Sequence, residues 1–129
     1  MYTQTLVEKS IQQGQNLVHS LEQAGLDPKA ALWYFNTELE AWKLMIMLPV
    51  MDSGHHQYAY KLVERVRMDT QPRVAIPLND IILQGTQSPL IAVVRRTIRS
   101  LPTGEREGFH YIGATVNTQF IGDVYIYKV

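Results

Sequence analysis

The C-terminal stretch, residues 108–129, constrains the fold of this chain more than any other segment. Two runs within it, 109–116 and 120–129, are rich in aromatic and β-branched side chains, which fit the pleated and half-buried surface of a β-strand. The polar break between the runs begins with Asn117, and asparagine tolerates the positive φ angle that a short hairpin turn requires. The sequence therefore predicts a β-hairpin at this end of the chain.

Three other segments have the apolar spacing of amphipathic helices. The first covers residues 6–21 and contains Gly14, which costs about 1 kcal/mol relative to alanine inside a helix. Either the first turns of this helix are loosely held or another group packs closely against the glycine. The second helix is expected to begin with a cap at Asp52 or Ser53. The third begins at Ser88, a good cap that is followed by a proline at the first helical position.

Two further strands are predicted at residues 30–35 and 41–48, and the segment 78–83 fits either a strand or a loop. The order of elements is therefore α-β-β-α-(β)-α-β-β, and short loops between adjacent strands imply antiparallel pairing. Helices grouped on one side of such a sheet give a two-layer α+β fold. We predict a single domain over residues 1–129, with three helices, an antiparallel sheet of four or five strands and a C-terminal hairpin.

Composition excludes several classes of protein. The chain has no cysteine, which excludes a disulfide scaffold, a thiolate metal site and a cysteine nucleophile. Residues 1–5 do not form a basic region leading into an apolar run, so no signal peptide is predicted. The longest nearly apolar run, 44–51, is too short to span a bilayer. We expect a soluble cytoplasmic protein with no membrane partner and no cofactor.

Charge gives one electrostatic lead. Zero formal net charge argues against general binding to nucleic acid or membrane surfaces. However, every arginine lies within residues 61–106, on or near the second and third predicted helices. The cations that could together bind phosphate or an acidic protein are Lys61, Arg65, Arg95, Arg96 and Arg99. The alternative is that they are solvated helix flanks, favoured near helix C-termini by the dipole alone.

His55, His56 and Asp123 are the other polar residues that attract attention. Neighbouring side chains on a helix diverge by about 100°, so the two histidines do not converge on a ligand. We predict that they are solvated and bind no structural metal. Asp123 interrupts an apolar strand, where it either faces the core with a partner or points outward into solvent. No catalytic, cofactor-binding or metal-binding residue is assigned, since no phosphate loop, nucleophile elbow or zinc spacing is present.

Segments 30–33, 42–44 and 122–128 together resemble a known family. It is a family of small bacterial proteins to which no function is assigned, and the resemblance extends over most of the chain. It implies a bacterial, cytoplasmic origin and brings no catalytic residues with it.

The first functional hypothesis is a non-enzymatic interaction or adaptor protein that self-associates. The run 120–127 carries one charge, at Asp123, and no proline, and an exposed strand edge of that kind templates pairing with another chain. Phe120, Tyr125 and Tyr127 are the candidate interface residues. The alternative is that this strand lies inside the sheet, paired on both sides, and that the protein is a monomer.

The second hypothesis is an enzyme or binding protein that acts on a phosphorylated ligand or a nucleic acid. Its site residues would be His55, His56, Asp123, Arg95, Arg96 and Arg99. The two hypotheses differ in one geometric requirement. An enzyme needs its histidine, aspartate and arginine side chains within hydrogen-bonding reach in one cleft, whereas an interaction protein does not.

Overall fold

A computed structural model of the chain describes residues 6–129. Residues 1–5, where the sequence predicts no export signal, lie outside this range. The helices are α1 (Glu8–Gln23), α2 (His56–Asp69) and α3 (Pro89–Ile98). The strands are β1 (Ala30–Asn36), β2 (Ala41–Met47), β3 (Ile81–Gln84), β4 (Gly108–Val116) and β5 (Gln119–Lys128).

The five strands form one sheet in the order β3-β2-β1-β5-β4. The predicted α+β class, the three helices, the order of elements and the C-terminal hairpin are confirmed. The sheet is mixed rather than wholly antiparallel, because β3 pairs parallel to β2. The connection between these two strands contains α2, and a helical crossover is what brings a parallel strand back to its neighbour. The undecided segment 78–83 is a short 3-10 turn, Leu78–Asp80, that leads into β3.

The helices cover both faces of the sheet. Because successive side chains of a strand point to opposite faces, β1 contributes Trp33 to the core beneath α1 and α2, and Leu32 to the core beneath α3. The predicted two-layer arrangement places all helices on one face of the sheet. In the structure α1 and α2 lie on one face and α3 lies on the other. The physical reason is that β1 and β2 are buried at nearly every position, so both of their faces need a helix.

Gly14 is the point where β5 touches α1. The Tyr127 hydroxyl donates a hydrogen bond to the backbone oxygen of Ile11 at 2.6 Å and accepts one from Trp33 Nε1 at 2.8 Å. A Cβ atom at Gly14 would overlap with that hydroxyl and lie 3.0 Å from Trp33 Nε1. Of the two sequence-based interpretations of Gly14, close packing is therefore the one observed. Burial raises the pKa of Tyr127, although the hydrogen bond from Trp33 opposes this rise.

The C-terminal hairpin turns through Asn117 and Thr118, both of which have positive φ angles, 50° and 68°. Two consecutive positive φ angles in a two-residue loop match the twist of the strands that they join. Within the hairpin β4 is the edge strand, while β5 is hydrogen-bonded to both β1 and β4. The exposed strand edge predicted at 120–127 is therefore not formed, and the last strand lies inside the sheet, paired on both sides.

Candidate functional site

A row of exposed aromatic side chains lies on the β4–β5 part of the sheet. Phe109, Tyr111 and Phe120 are 58%, 65% and 44% exposed, and Tyr125 beside them is half-buried. We call these four side chains the aromatic face. Single exposed apolar side chains are ordinary on a protein surface, but a contiguous group of this kind is typical of a binding surface.

The register of the hairpin places these side chains together. Phe109 is opposite Tyr125, and Thr115 is opposite Phe120. Side chains directly opposite each other in an antiparallel pair project from the same side of the sheet. Ile112 of β4 and Val124 of β5 project from the other side of the sheet, into the core beneath α3.

Two glycines make room for the rings. Gly113 has a φ angle of 64° and lies where the β4–β5 register shifts by a β-bulge. A Cβ at Gly113 would lie 2.6 Å from a ring carbon of Tyr111. At Gly122 a Cβ would lie 3.3 Å from the Phe120 ring. The rings of Tyr111 and Phe120 therefore pack closely over backbone that carries no side chain.

Ring contacts connect the aromatic face to the core. Phe109 and Tyr125 meet edge to face, with centroids 4.8 Å apart, and Tyr125 and Tyr127 do so at 5.3 Å. Tyr111 and Phe120 are tilted against each other at 6.5 Å. Because Tyr127 is partly buried and hydrogen-bonded beneath α1, it holds the end of the row formed by Phe109 and Tyr125. The face is preorganised by these contacts.

The aromatic face is exposed because the helices on its side of the sheet do not reach it. The core under α1 and α2 extends only as far as Tyr125 and Tyr127, which pack against its margin. Between α1 and β5 there is an open groove of about 410 Å³, lined among others by His19, Glu107 and Tyr125. The groove continues the aromatic face toward α1.

The charges around this surface are mainly acidic. Asp123 is exposed and lies opposite Tyr111 in the register, and Glu107 lines the groove. Within residues 6–129 neither carboxylate makes an ion pair. Lys128, by contrast, is paired with Glu22 at 2.9 Å. Asp123 therefore points outward, which is one of the two orientations expected from the sequence, and the aromatic face has an acidic rim.

The sequence-based interface residues are distributed unequally over this surface. Phe120 belongs to its exposed part, Tyr125 to its half-buried margin, and Tyr127 is directed beneath α1. Phe109 and Tyr111 are not among the sequence-based candidates, although they are its most exposed members. The signal that could have identified them is their alternation with His110 and Ile112, which places both aromatic rings on one side of a strand.

The candidate cations do not form one group. Arg95 and Arg96 are exposed on α3 and Arg99 at its C-cap, whereas Lys61 and Arg65 are exposed on α2. Since α2 and α3 pack on opposite faces of the sheet, the structure does not bring the two sets together. A phosphate site that uses all five residues is not formed.

The histidines lie apart from the arginines of α3 and from Asp123. His55 precedes α2 at its N-cap position and His56 is the first residue of the helix, and both are exposed. They line an open cleft together with Gly54, Gln57, Tyr58 and Lys61. Neither Asp123 nor an arginine lines this cleft. Among residues 6–129 no group of three or more histidine, aspartate or glutamate side chains is placed to hold a metal ion.

The predicted cap of the second helix has a different role. Asp52 and Ser53 belong to a 3-10 turn, Pro49–Ser53, and α2 begins later, at His56. The Asp52 carboxylate instead accepts hydrogen bonds from the backbone nitrogen of Thr86 at 2.9 Å and from its hydroxyl at 2.6 Å. It thereby ties this turn to the loop after β3.

Comparison with known proteins finds no matching family model, no matching curated protein and no matching solved structure. Segments 30–33, 42–44 and 122–128 lie in β1, β2 and β5, the three central strands of the sheet. None of the helices in the described part of the chain has the length and apolar character needed to cross a membrane.

Proposed function

We propose that this chain is a non-enzymatic interaction protein that self-associates through its aromatic face. The observation that carries the proposal is the group of three exposed rings, of Phe109, Tyr111 and Phe120, on the side of β4 and β5 that faces away from α3 and that no helix among residues 6–129 covers. Aromatic side chains are enriched in the buried centres of protein interfaces, because they remove a large apolar area from water while losing few rotameric states.

The size of the surface fits the centre of an interface. From the exposed fractions of the three rings, 58%, 65% and 44%, covering them would remove about 300 Å² from water on one partner. The corresponding gross gain is about 7 kcal/mol at about 25 cal/mol per Å². Association itself costs about 4–15 kcal/mol. The aromatic face would therefore act together with a polar rim, to which Asp123 and Glu107 belong.

The separation of the polar candidates supports an interaction protein over an enzyme. An enzyme that uses these residues needs His55 or His56 near Asp123 and an arginine. His55 and His56 instead line a cleft at the start of α2, Asp123 lies on the β4–β5 part of the sheet, and the three α3 arginines lie on the opposite face. A bacterial, cytoplasmic setting is also part of the proposal. It is supported by the resemblance of segments 30–33, 42–44 and 122–128 to the family of small bacterial proteins.

The test compares two tyrosines of similar exposure. Tyr111 is 65% exposed on the aromatic face, and Tyr58 is 56% exposed on α2. Sedimentation equilibrium at micromolar concentration is expected to give a mass above that of the monomer for the unaltered chain and for Tyr58→Lys. It is expected to give the monomer mass for Tyr111→Lys, because a lysine there places a charge among the aromatic rings. A monomer mass for the unaltered chain at all concentrations would refute the proposal.

A further inference from the structure

The outward surface of α3 is cationic and has no ion-pair partner among residues 6–129. Arg95, Arg96 and Arg99 are all exposed, and α3 itself contains no acidic residue. In the described part of the chain none of the three guanidinium groups makes an ion pair. We call these three side chains the arginine surface.

The arginine surface and the aromatic face lie on opposite sides of the same two strands. The inward side of α3 packs against strand residues that include Ile112 of β4 and Val124 of β5. The aromatic rings project from the other side of those strands. The formal net charge is zero, but within this part of the fold cations and unpaired acids are segregated onto two surfaces that point away from each other.

The two surfaces are chemically complementary. Guanidinium groups stack on aromatic rings and form hydrogen-bonded pairs with carboxylates, and the aromatic face with its rim offers both kinds of group. Within residues 6–129, Asp123 and Glu107 supply carboxylates that make no internal ion pair. An arginine-bearing helix is therefore better matched to this face than a second acidic surface is.

A symmetric dimer would not use this complementarity. In an isologous interface the same patch meets itself, so two copies of Asp123 and Glu107 would come together around the twofold axis. Like charges at an interface are unfavourable, and the arginines of α3 would remain unused. The charge distribution thus favours contact between unlike surfaces.

We propose that self-association is head-to-tail, with the arginine surface of one copy docked on the aromatic face of the next. This inference rests on the proposed function and specifies its partner, a second copy of this chain that contributes α3. Such a heterologous interface leaves one free surface at each end of the assembly. Further copies therefore add until a ring closes, and if the geometry does not allow closure an open filament grows.

The experiment mixes two variants that each lack one surface. Tyr111→Lys disrupts the aromatic face and retains the arginine surface. The double variant Arg95→Glu/Arg99→Glu disrupts the arginine surface and retains the aromatic face. Each variant alone is expected to sediment as a monomer, and their equimolar mixture is expected to form a species with the mass of two chains, because one intact interface remains available between them.

A matched control reverses two other exposed cations, Lys9→Glu/Arg73→Glu, on α1 and in the loop after α2. It is expected to associate like the unaltered chain, and circular dichroism should show that every variant is folded. Raising the salt concentration from about 0.05 M to about 0.5 M is expected to weaken association at least about tenfold, because shorter screening lengths reduce attraction between exposed charges.

The outcomes separate this inference from the function on which it rests. If the unaltered chain associates and Tyr111→Lys does not, the proposed function stands. If in that case the α3 variant still associates, or the mixture of variants stays monomeric, the head-to-tail arrangement is refuted. If the unaltered chain is itself a monomer, both proposals fail.

Discussion

Gly14→Ala is the substitution that tests how α1 is held against the sheet. In an isolated helix this change stabilises, since alanine is favoured over glycine by about 1 kcal/mol. Here the new Cβ would overlap with the Tyr127 hydroxyl, lie 2.9 Å from Tyr127 Cζ and lie 3.0 Å from Trp33 Nε1. The tyrosine cannot move away freely, because its hydroxyl is hydrogen-bonded to Ile11 and Trp33.

The expected loss follows from three terms. Overpacking a filled site costs about 1–3 kcal/mol, and each hydrogen bond of the tyrosine is worth about 1 kcal/mol when it is weakened or lost. If one of the two hydrogen bonds is lost, subtracting the gain in helix propensity leaves a net destabilisation of about 1–3 kcal/mol. The sign is therefore opposite to that of a Gly→Ala change on a free helix.

Urea denaturation followed by circular dichroism measures this free energy of unfolding. The companion variant Tyr127→Phe removes the hydroxyl and should itself cost about 1–3 kcal/mol, because it leaves the Trp33 donor without its partner. In the Tyr127→Phe background, Gly14→Ala should cost less than in the unaltered chain, which is the coupling expected of groups in contact. A Gly14→Ala variant more stable than the unaltered chain would refute the contact.

Three further outcomes are expected. Ile98→Ala, which truncates a buried residue of α3, should lower the free energy of unfolding by about 2–5 kcal/mol, and an unchanged urea midpoint would contradict the packing of α3. The Arg67 guanidinium, by hydrogen bonding, lowers the pKa of Glu64, so the ion pair stabilises the fold above the ordinary glutamate pKa and is lost as the pH falls through the lowered value. The difference in stability between the unaltered chain and Glu64→Gln should accordingly shrink in acid, and a difference that is constant with pH would argue against this pairing. Metal analysis of the purified protein should find no stoichiometric zinc at His55 and His56, and a chelator should leave the thermal midpoint unchanged; tightly bound zinc would revive the enzyme hypothesis.

Local patterns predicted the elements of this fold because each depends on neighbouring residues. The alternation of aromatic and β-branched residues and the turn at Asn117 identify the hairpin. Ser88 followed by Pro89 marks the start of α3, and the Ser88 hydroxyl accepts a hydrogen bond from the backbone nitrogen of Ile91. Gly14 indicated a close contact without naming the residue that makes it.

Long-range pairing could not be predicted in the same way. Which hairpin strand pairs with β1 depends on contacts between residues far apart in the chain, such as Trp33 with Tyr125. The same holds for the helices, since the apolar side of α3 is equally compatible with either face of the sheet. The aromatic face was therefore only partly predicted. Its exposure depends on the position of β4 at the sheet edge and on the fact that the core under α1 extends only as far as Tyr125.

The most direct test of self-association through the aromatic face is to measure which residues lose contact with solvent as the protein concentration rises. NMR spectra recorded with a soluble paramagnetic agent report this for each residue. If the chain self-associates through this face, Phe109, Tyr111 and Phe120 become protected between low and high micromolar concentration, while Tyr58 on α2 does not. Protection that is confined to other surfaces, or no concentration dependence at all, would contradict self-association through the aromatic face.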